Sequence, residues 1–398
     1  MKTTTFLLLF TFSSFYITVS AQAKRIIVYD FFTGKTDTLP SVSFPTDVIR
    51  GHTDFFPGTM NGEYETLEMD PPTENVYPET FFTKKRQASL DYDIDKYPIR
   101  TAVKIWVERN DSLKNKCSGI MISRKHVLTA AHCVGSIFGG LYTDPLWVSV
   151  AYDNGEINPL FDYRLVKKMY VFENWRYSDD DMAVLELWDA LGKYTGWAGI
   201  GFDSDDRHLQ DGIFYKFSYP ATYIPFLDPN VFNGDTLYYY YGKVDIWKPN
   251  SIGITGTIAI PGESGSSLLK VENGRQYISY GVLNRSSDLY HSRITNWKFY
   301  ALKSIIEKDL FPDESPKEKE SPWAIYPNPT TGVIHIKNSE NSIADEYSIY
   351  NSRGGLVYFQ KGTRAAEVAD LSFLASGAYI LIIRNGAVKE AKKIIKSE

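Results

Sequence analysis

The stretch Leu128-Thr129-Ala130-Ala131-His132-Cys133 decides how the rest of the chain reads. An apolar run ends in small residues, and a histidine and a cysteine follow at once. A lone histidine is ordinarily structural. Here the alanines leave the ring room to turn, as a group that must accept and release a proton requires. Upstream, Cys117 is the other of the only two cysteines in the sequence. In an exported chain two cysteines pair by default, and a bond closing a loop of about 17 residues contributes roughly 3 kcal/mol in the chain-entropy model. It would tie the histidine loop to the strand before it.

Export is itself legible. Lys2 is a short basic region, Phe6 to Val19 is apolar, and Ser20, Ala21 and Ala23 supply small residues for cleavage. Residues 1–21 therefore read as a signal peptide, too short to span a bilayer. No later run reaches the ~18 apolar residues of a membrane-spanning segment, so the expected product is soluble and exported. With 398 residues the chain can hold two or three domains. Its composition, 43% apolar and 23% charged, is that of a globular protein, and 28 Tyr and 23 Phe suit strands. A net charge of −5 carries no basic footprint for nucleic acid.

Residues 22–94 form a leader of weak periodicity, punctuated by FFPGTMNGE and MDPPTENVYPE and ending near the basic cluster Lys84-Lys85-Arg86. Two readings stay open: an extension wrapped on the next domain, or a pro-segment removed near Arg86. From about residue 95 to 312 short strands follow one another, among them 101–107, 119–123, 146–152, 182–187 and 277–283. Many short strands with turn residues between them predict an all-β fold, barrel or sandwich. One helix is predicted at Asn296 to Leu310, where Trp297, Ala301, Leu302, Ile305, Ile306 and Leu310 recur three or four apart. Residues 313–322, DESPKEKESP, read as a charged linker. Residues 323–398 carry a second alternating pattern, VIHIKN to KEAKKIIK, that predicts a small β-sandwich.

Two further stretches carry chemistry. In Ser178-Asp179-Asp180-Asp181-Met182-Ala183-Val184-Leu185-Glu186-Leu187, Asp181 touches the apolar run and is the aspartate placed for partial burial. A buried carboxylate needs a partner, and a histidine N–H is a suitable one. In Ile260-Pro261-Gly262-Glu263-Ser264-Gly265-Ser266, a serine stands on a glycine turn just before an apolar run.

His132, Asp181 and Ser264 occur in the chain order of chymotrypsin- and trypsin-like serine proteases. TAAHC stands as in that family, DMAVLEL resembles its DIALLKL-type strand, and GESGSS resembles its GDSGGP. The resemblance covers about residues 95–312. It implies a chymotrypsin-like double β-barrel with a C-terminal helix and a cleft site between the barrels. It implies His132 as general base, Asp181 as its orienting partner, Ser264 as nucleophile, and the Gly262 and Ser264 amides as oxyanion hole. Glu263 stands where trypsin-type zymogens carry the aspartate that receives a new N-terminus, and no Ile-Val-Gly-Gly segment precedes the domain at a sensible distance. Glu263 is then expected to pair with a basic side chain instead. Gly265-Ser266 and YPIRTAV lean toward the glutamyl-endopeptidase branch.

The substrate pocket is assigned to Ile258, Ser279, Gly281 and Arg285. Apolar Ile258 argues against basic specificity. Ser279, where that branch carries a histidine, leaves glutamate preference unsupported. An apolar side chain is expected, unless Arg285 attracts an acidic one. The expected function is a secreted serine endopeptidase. The alternatives are a catalytically inactive protease-fold binding or adhesion protein, and an esterase using the same triad. No metal and no cofactor is called for. Asp203, Asp205 and Asp206 fit no calcium-loop spacing, and His52, His126, His208, His291 and His335 read as surface or structural.

At the C-terminus, IYPNPTTG (325–332) followed by LASGAYILI (374–382) resembles the C-terminal sorting domain of the type IX secretion system of Bacteroidetes-type bacteria. That resemblance implies export through the periplasm of a Gram-negative bacterium and engagement of the outer-membrane secretion machinery by residues 323–398. The mature protein would end secreted or cell-surface attached, with protein or peptide substrates.

Overall fold

The computed structural model describes residues 24–39, 53–59, 82–310 and 323–397, less the short stretches 111, 137, 159–160, 177–178, 211, 223–231, 273–275, 286–288, 339–343, 352–355, 362–367 and 386–387. The signal segment 1–21, much of the leader and the linker 313–322 lie outside the described residues.

Six antiparallel strands close on themselves in the first half of the central region. Around the ring they run Leu146–Val150, Ala102–Arg109, Ser112–Met121, His126–Thr129, Ala183–Leu187 and Arg164–Phe172, and Trp147 pairing with Leu165 shuts the barrel. The period of two along a strand explains the closure. Val103, Ile105 and Val107 share one buried cluster with Val148, Val150, Met169, Val171, Leu185 and Leu187. Ala102 and Trp106, of the opposite parity, belong to a second buried cluster. Each such side chain fully removed from water contributes about 1.5–3 kcal/mol before entropy is counted.

The second half closes less completely. Its path runs Ile246–Trp247, Ser251–Gly253, Tyr290–Arg293, Gln276–Arg285, Ser267–Glu272, Phe214–Ser218, Tyr238–Gly242 and Arg86–Gln87, with Gly199–Asp203 joining Gln276–Arg285 in parallel. Its two ends are strands of two residues, too short to zip together, so it stays a half-barrel. Phe214, Tyr240, Ile252, Leu268, Ile278 and Leu283 fill it.

Segments of the leader contribute edges to both halves. Ile26–Asp30 pairs with Arg164–Phe172, Thr53–Phe56 pairs with Gly199–Asp203, and Arg86–Gln87 pairs with Tyr238–Gly242. Phe82 is buried in the core of the half-barrel.

The helix Asn296–Leu310 forms as its spacing predicts, and Trp297, Ala301, Leu302, Ile305 and Ile306 are all buried. It bridges the halves: Trp297 meets Phe172 at 4.7 Å between ring centroids, and Phe299 meets Phe202 at 5.1 Å. After the linker, two small sheets, one of three strands and one of four, enclose their own core around Ile334, Ile336, Tyr347, Ile349, Leu381 and Ile383. Among the described residues no helix is long and apolar enough to cross a membrane.

Candidate active site

His132 sits in the short turn Ala131–Cys133, directly after the strand His126–Thr129. Ala130 and Ala131 are fully buried, so the turn lies flat on the barrel and leaves the ring at its rim. Cys133 and Cys117 are joined in a disulfide, which ties this turn to the strand Ser112–Met121. Thr129 Oγ1 donates to the Ser118 carbonyl at 2.8 Å and adds a second tie between the same two segments.

Asp181 takes the histidine from two sides. Its Oδ1 accepts from the His132 backbone N–H at 2.9 Å, and its Oδ2 lies 2.7 Å from Nδ1. The side chains are 27% and 13% exposed, so the pair is shielded but reachable. A carboxylate can only accept, so Nδ1 carries the proton in the neutral ring and the lone pair is left on Nε2. The loop that brings Asp181 is held from below by Lys298 of the C-terminal helix. Its fully buried ammonium donates to the Asp179 carbonyl at 2.7 Å and pairs with Asp180 Oδ1 at 3.0 Å. Burial pushes the Lys298 ammonium below its ordinary value, and the neighbouring Asp180 carboxylate opposes that shift.

Ser264 arrives from the other half. The turn before it closes through Glu263 N–H to the Ile260 carbonyl at 3.1 Å, and the turn after it through Ser266 N–H to the Glu263 carbonyl at 2.9 Å. Gly262 and Gly265 have φ of +89° and +82°. A side chain at 262 would run into the Tyr219 carbonyl, and one at 265 into Thr129 Oγ1 and the Ser118 carbonyl. Only glycine lets the serine turn approach the histidine loop so closely. One residue of the first barrel then grips the turn at two points. Ser118 N–H donates to the Ser264 carbonyl at 2.9 Å, and Ser118 Oγ donates to the Gly262 carbonyl at 2.8 Å. Cys133 Sγ lies 3.6 Å from that same Ser264 oxygen. The nucleophile candidate is therefore packed against the disulfide next to His132. The amides of Gly262 and Ser264 make no hydrogen bond among the described residues.

Glu263 is fully buried behind the turn. Its carboxylate accepts from Ile260 N–H at 2.6 Å and from Ser218 Oγ at 3.0 Å, and pairs with Lys85 at 3.5 Å. The basic partner expected for it comes from the leader.

The residues assigned to the pocket are placed as follows. Ile258 is 43% exposed, and its carbonyl accepts from Lys85. Ser279 is fully buried opposite Leu269, with Oγ on Ser267 Oγ at 3.1 Å. Gly281 stands opposite Leu268. Neither reaches the serine turn. The strand residue that does is Leu283, whose carbonyl accepts from Gly265 N–H and whose N–H donates to the Ser266 carbonyl, both at 2.9 Å. Arg285 follows two positions on, opposite Tyr290. A bulge at Leu268/Leu269 shifts the register by one, which no residue type in the sequence announces. Ser118, Lys85 and Lys298 also escape a reading by motif, because their partners lie far along the chain.

Only one group of possible metal ligands meets among the described residues, Cys117, His132 and Cys133, and its two sulfurs are committed to the disulfide.

Residues 95–215 match the trypsin family model, and residues 324–397 match that of the secretion system C-terminal sorting domain. The first match includes His132 and Asp181 and stops before Ser264. Among solved structures, a Glu endopeptidase in complex with MPD is similar over 58% of this chain and 99% of its own, at 18% identity and a TM-score of 0.45. The protease Anisep from Arthrobacter nicotinovorans is similar over 55% of this chain and 100% of its own, at 20% identity and a TM-score of 0.42. No curated protein sequence matches the chain.

Proposed function

We propose that this chain, a trypsin-family domain followed by a secretion-system sorting domain, is an exported serine endopeptidase that works through an acyl-enzyme. The observation that carries the reading is the Asp181 carboxylate bound to both the N–H and the Nδ1 of His132, beside the turn that bears Ser264.

The chemistry follows from that arrangement. With Nδ1 donating to Asp181, Nε2 is the basic nitrogen and accepts the Ser264 proton as Oγ attacks a peptide carbonyl. The imidazolium so formed rests against Asp181 and then protonates the leaving amine. Water repeats the cycle on the acyl-enzyme and releases the acid. General-base assistance of this kind contributes about 10²–10⁴ in rate. The amides of Gly262 and Ser264 are the donors for the tetrahedral oxyanion, each worth about 3 kcal/mol in the transition state. Ile258, partly exposed ahead of the serine turn, brings no carboxylate to the pocket for the side chain before the cleaved bond, which favours apolar residues over basic ones.

The sorting domain addresses the enzyme to type IX export and to release or attachment outside the cell. Deletion of residues 323–398 is expected to leave the protein behind in the periplasm.

A fluorophosphonate probe tests the reaction. The purified protein is expected to be labelled on Ser264 and to cleave casein, and Ser264→Ala is expected to lose both. Labelling that persists in Ser264→Ala, or a wild-type protein inert to probe and casein alike, would refute the reading.

A further inference from the structure

Glu263 presents a physical problem that the hydrolase reading leaves unsolved. A carboxylate with no solvent exposure costs several kcal/mol to bury unless a cation and hydrogen bonds compensate it. Here the hydrogen bonds come from Ile260 N–H and Ser218 Oγ, and the cation is Lys85. Lys216 is the other buried cation nearby. Its ammonium is engaged with Ser266 Oγ at 2.9 Å and with His291 Nε2 at 2.7 Å.

Lys85 does more than neutralise. The same ammonium donates to the Ile258 carbonyl at 3.1 Å and lies 4.7 Å from the centre of the Tyr240 ring. It therefore holds residue 258 and residue 263 at once, the two ends of the segment that leads into Ser264. The chain threads it there deliberately in the geometric sense. Phe82 is buried against Tyr240, Thr83 N–H donates to the Tyr241 carbonyl, and Ala88 N–H donates to the Leu237 carbonyl. Along this edge strand Lys84 and Arg86 point outward, while Lys85 points inward with only 10% of its side chain exposed.

We infer that Lys85 is a positioning residue for the Ser264 turn, an internal ammonium that staples 258 to 263 and so sets the Gly262 and Ser264 amides toward the cleft. The inference rests on the serine-hydrolase reading. Its consequence is that residues 82–92 belong to the working enzyme, and that a cut after Arg86 in the Lys84-Lys85-Arg86 cluster silences the site rather than releasing it.

The test compares full-length wild type, Lys85→Met and Lys85→Arg for fluorophosphonate labelling rate per folded molecule, for kcat and KM on a peptide ester, and for melting temperature. Loss of an aligned oxyanion donor costs about 10²–10³ in rate, so Lys85→Met is expected to fall by about 10²-fold in labelling and kcat with KM within about twofold. Lys85→Arg keeps the cation and is expected to stay within about tenfold of wild type. Lys85→Met that labels at the wild-type rate per folded molecule, or Lys85→Arg that loses as much as Lys85→Met, overturns the inference. Should Lys85→Met not fold, N-terminal sequencing of the probe-labelled, naturally exported protein decides. A first residue at or before Lys85 supports the staple, and a first residue at 86 or beyond overturns it. If wild type itself is not labelled, the hydrolase reading fails and the fault does not lie with Lys85.

Discussion

The two halves of the central domain present their functional groups in opposite ways. The closed barrel fixes His132 by nearby means: a disulfide to the adjacent strand segment, a threonine hydroxyl to the Ser118 carbonyl, and an aspartate 49 residues on. The half-barrel offers Ser264 on a turn that its own strands hold through Leu283, Ser218 and Lys216. The remaining constraints come from elsewhere, Ser118 at a separation of 144 residues and Lys85 at a separation of 173. The proposed base is fixed within its own barrel; the proposed nucleophile is held in part by residues from outside its half. A half whose site residue depends on distant partners is the half where small changes should be felt.

The largest expected effect lies inside the closed barrel and sets the scale. Asp181→Asn keeps the hydrogen bonding but turns the imidazole to the wrong tautomer, and kcat should fall by about 10⁴ with the fold intact. Steady-state kinetics beside a thermal melt read both quantities. A loss under tenfold would mean that the first barrel does not orient the base as described.

Next comes the seam between the halves. In Gly265→Ala the new methyl meets Thr129 Oγ1 and the Ser118 carbonyl at a backbone angle that disfavours alanine. A displacement of the turn by about 1 Å should cost about 10²-fold in labelling rate, together with about 1–3 kcal/mol in stability. Labelling and melting that both match wild type would dissolve the contrast between a fixed base and a borrowed turn.

Removing the disulfide sharpens the comparison from the other side. The double variant Cys117→Ser, Cys133→Ser should lose about 2–4 kcal/mol of unfolding free energy in denaturant titration. Labelling per folded molecule should stay within about tenfold, because Thr129 and Asp181 still hold the histidine turn.

The smallest effect concerns pH. Burial brings the Lys216 ammonium down to about 7, the charge of Glu263 opposes this, and Lys85 adds to it. The unfolded chain holds that proton up to about 10.4, so between the two values the unfolded state binds more protons and stability rises with pH. The cost of the buried cation is thus complete below about 7 and is relieved on going alkaline. Melting temperatures across this range should climb more steeply in wild type than in Lys216→Met, and parallel curves would remove Lys216 as the source.

What the sequence disclosed follows the same division. His132, its disulfide and Asp181 announce themselves because each sits in a short run whose residue types have a local reason. The helix at Asn296–Leu310 is legible because spacing alone defines its buried face. The serine turn is legible from its glycines. The pocket strand is not, because the bulge at Leu268/Leu269 changes which residue meets the turn without changing the alternation. Lys85 reads on the page as one of three basic residues in a row, and only pairing with Tyr238–Gly242 turns it inward. Ser118 reads as nothing more than a serine after a cysteine.

Lys298 gives the order of assembly a direction. It belongs to the last element of the domain, yet it clasps the backbone just before Asp181. A nascent chain that has already delivered its histidine, acid and serine still lacks the clasp until the ribosome has passed the final helix. A chain cut short before Asn296 would lack this clasp on the aspartate loop.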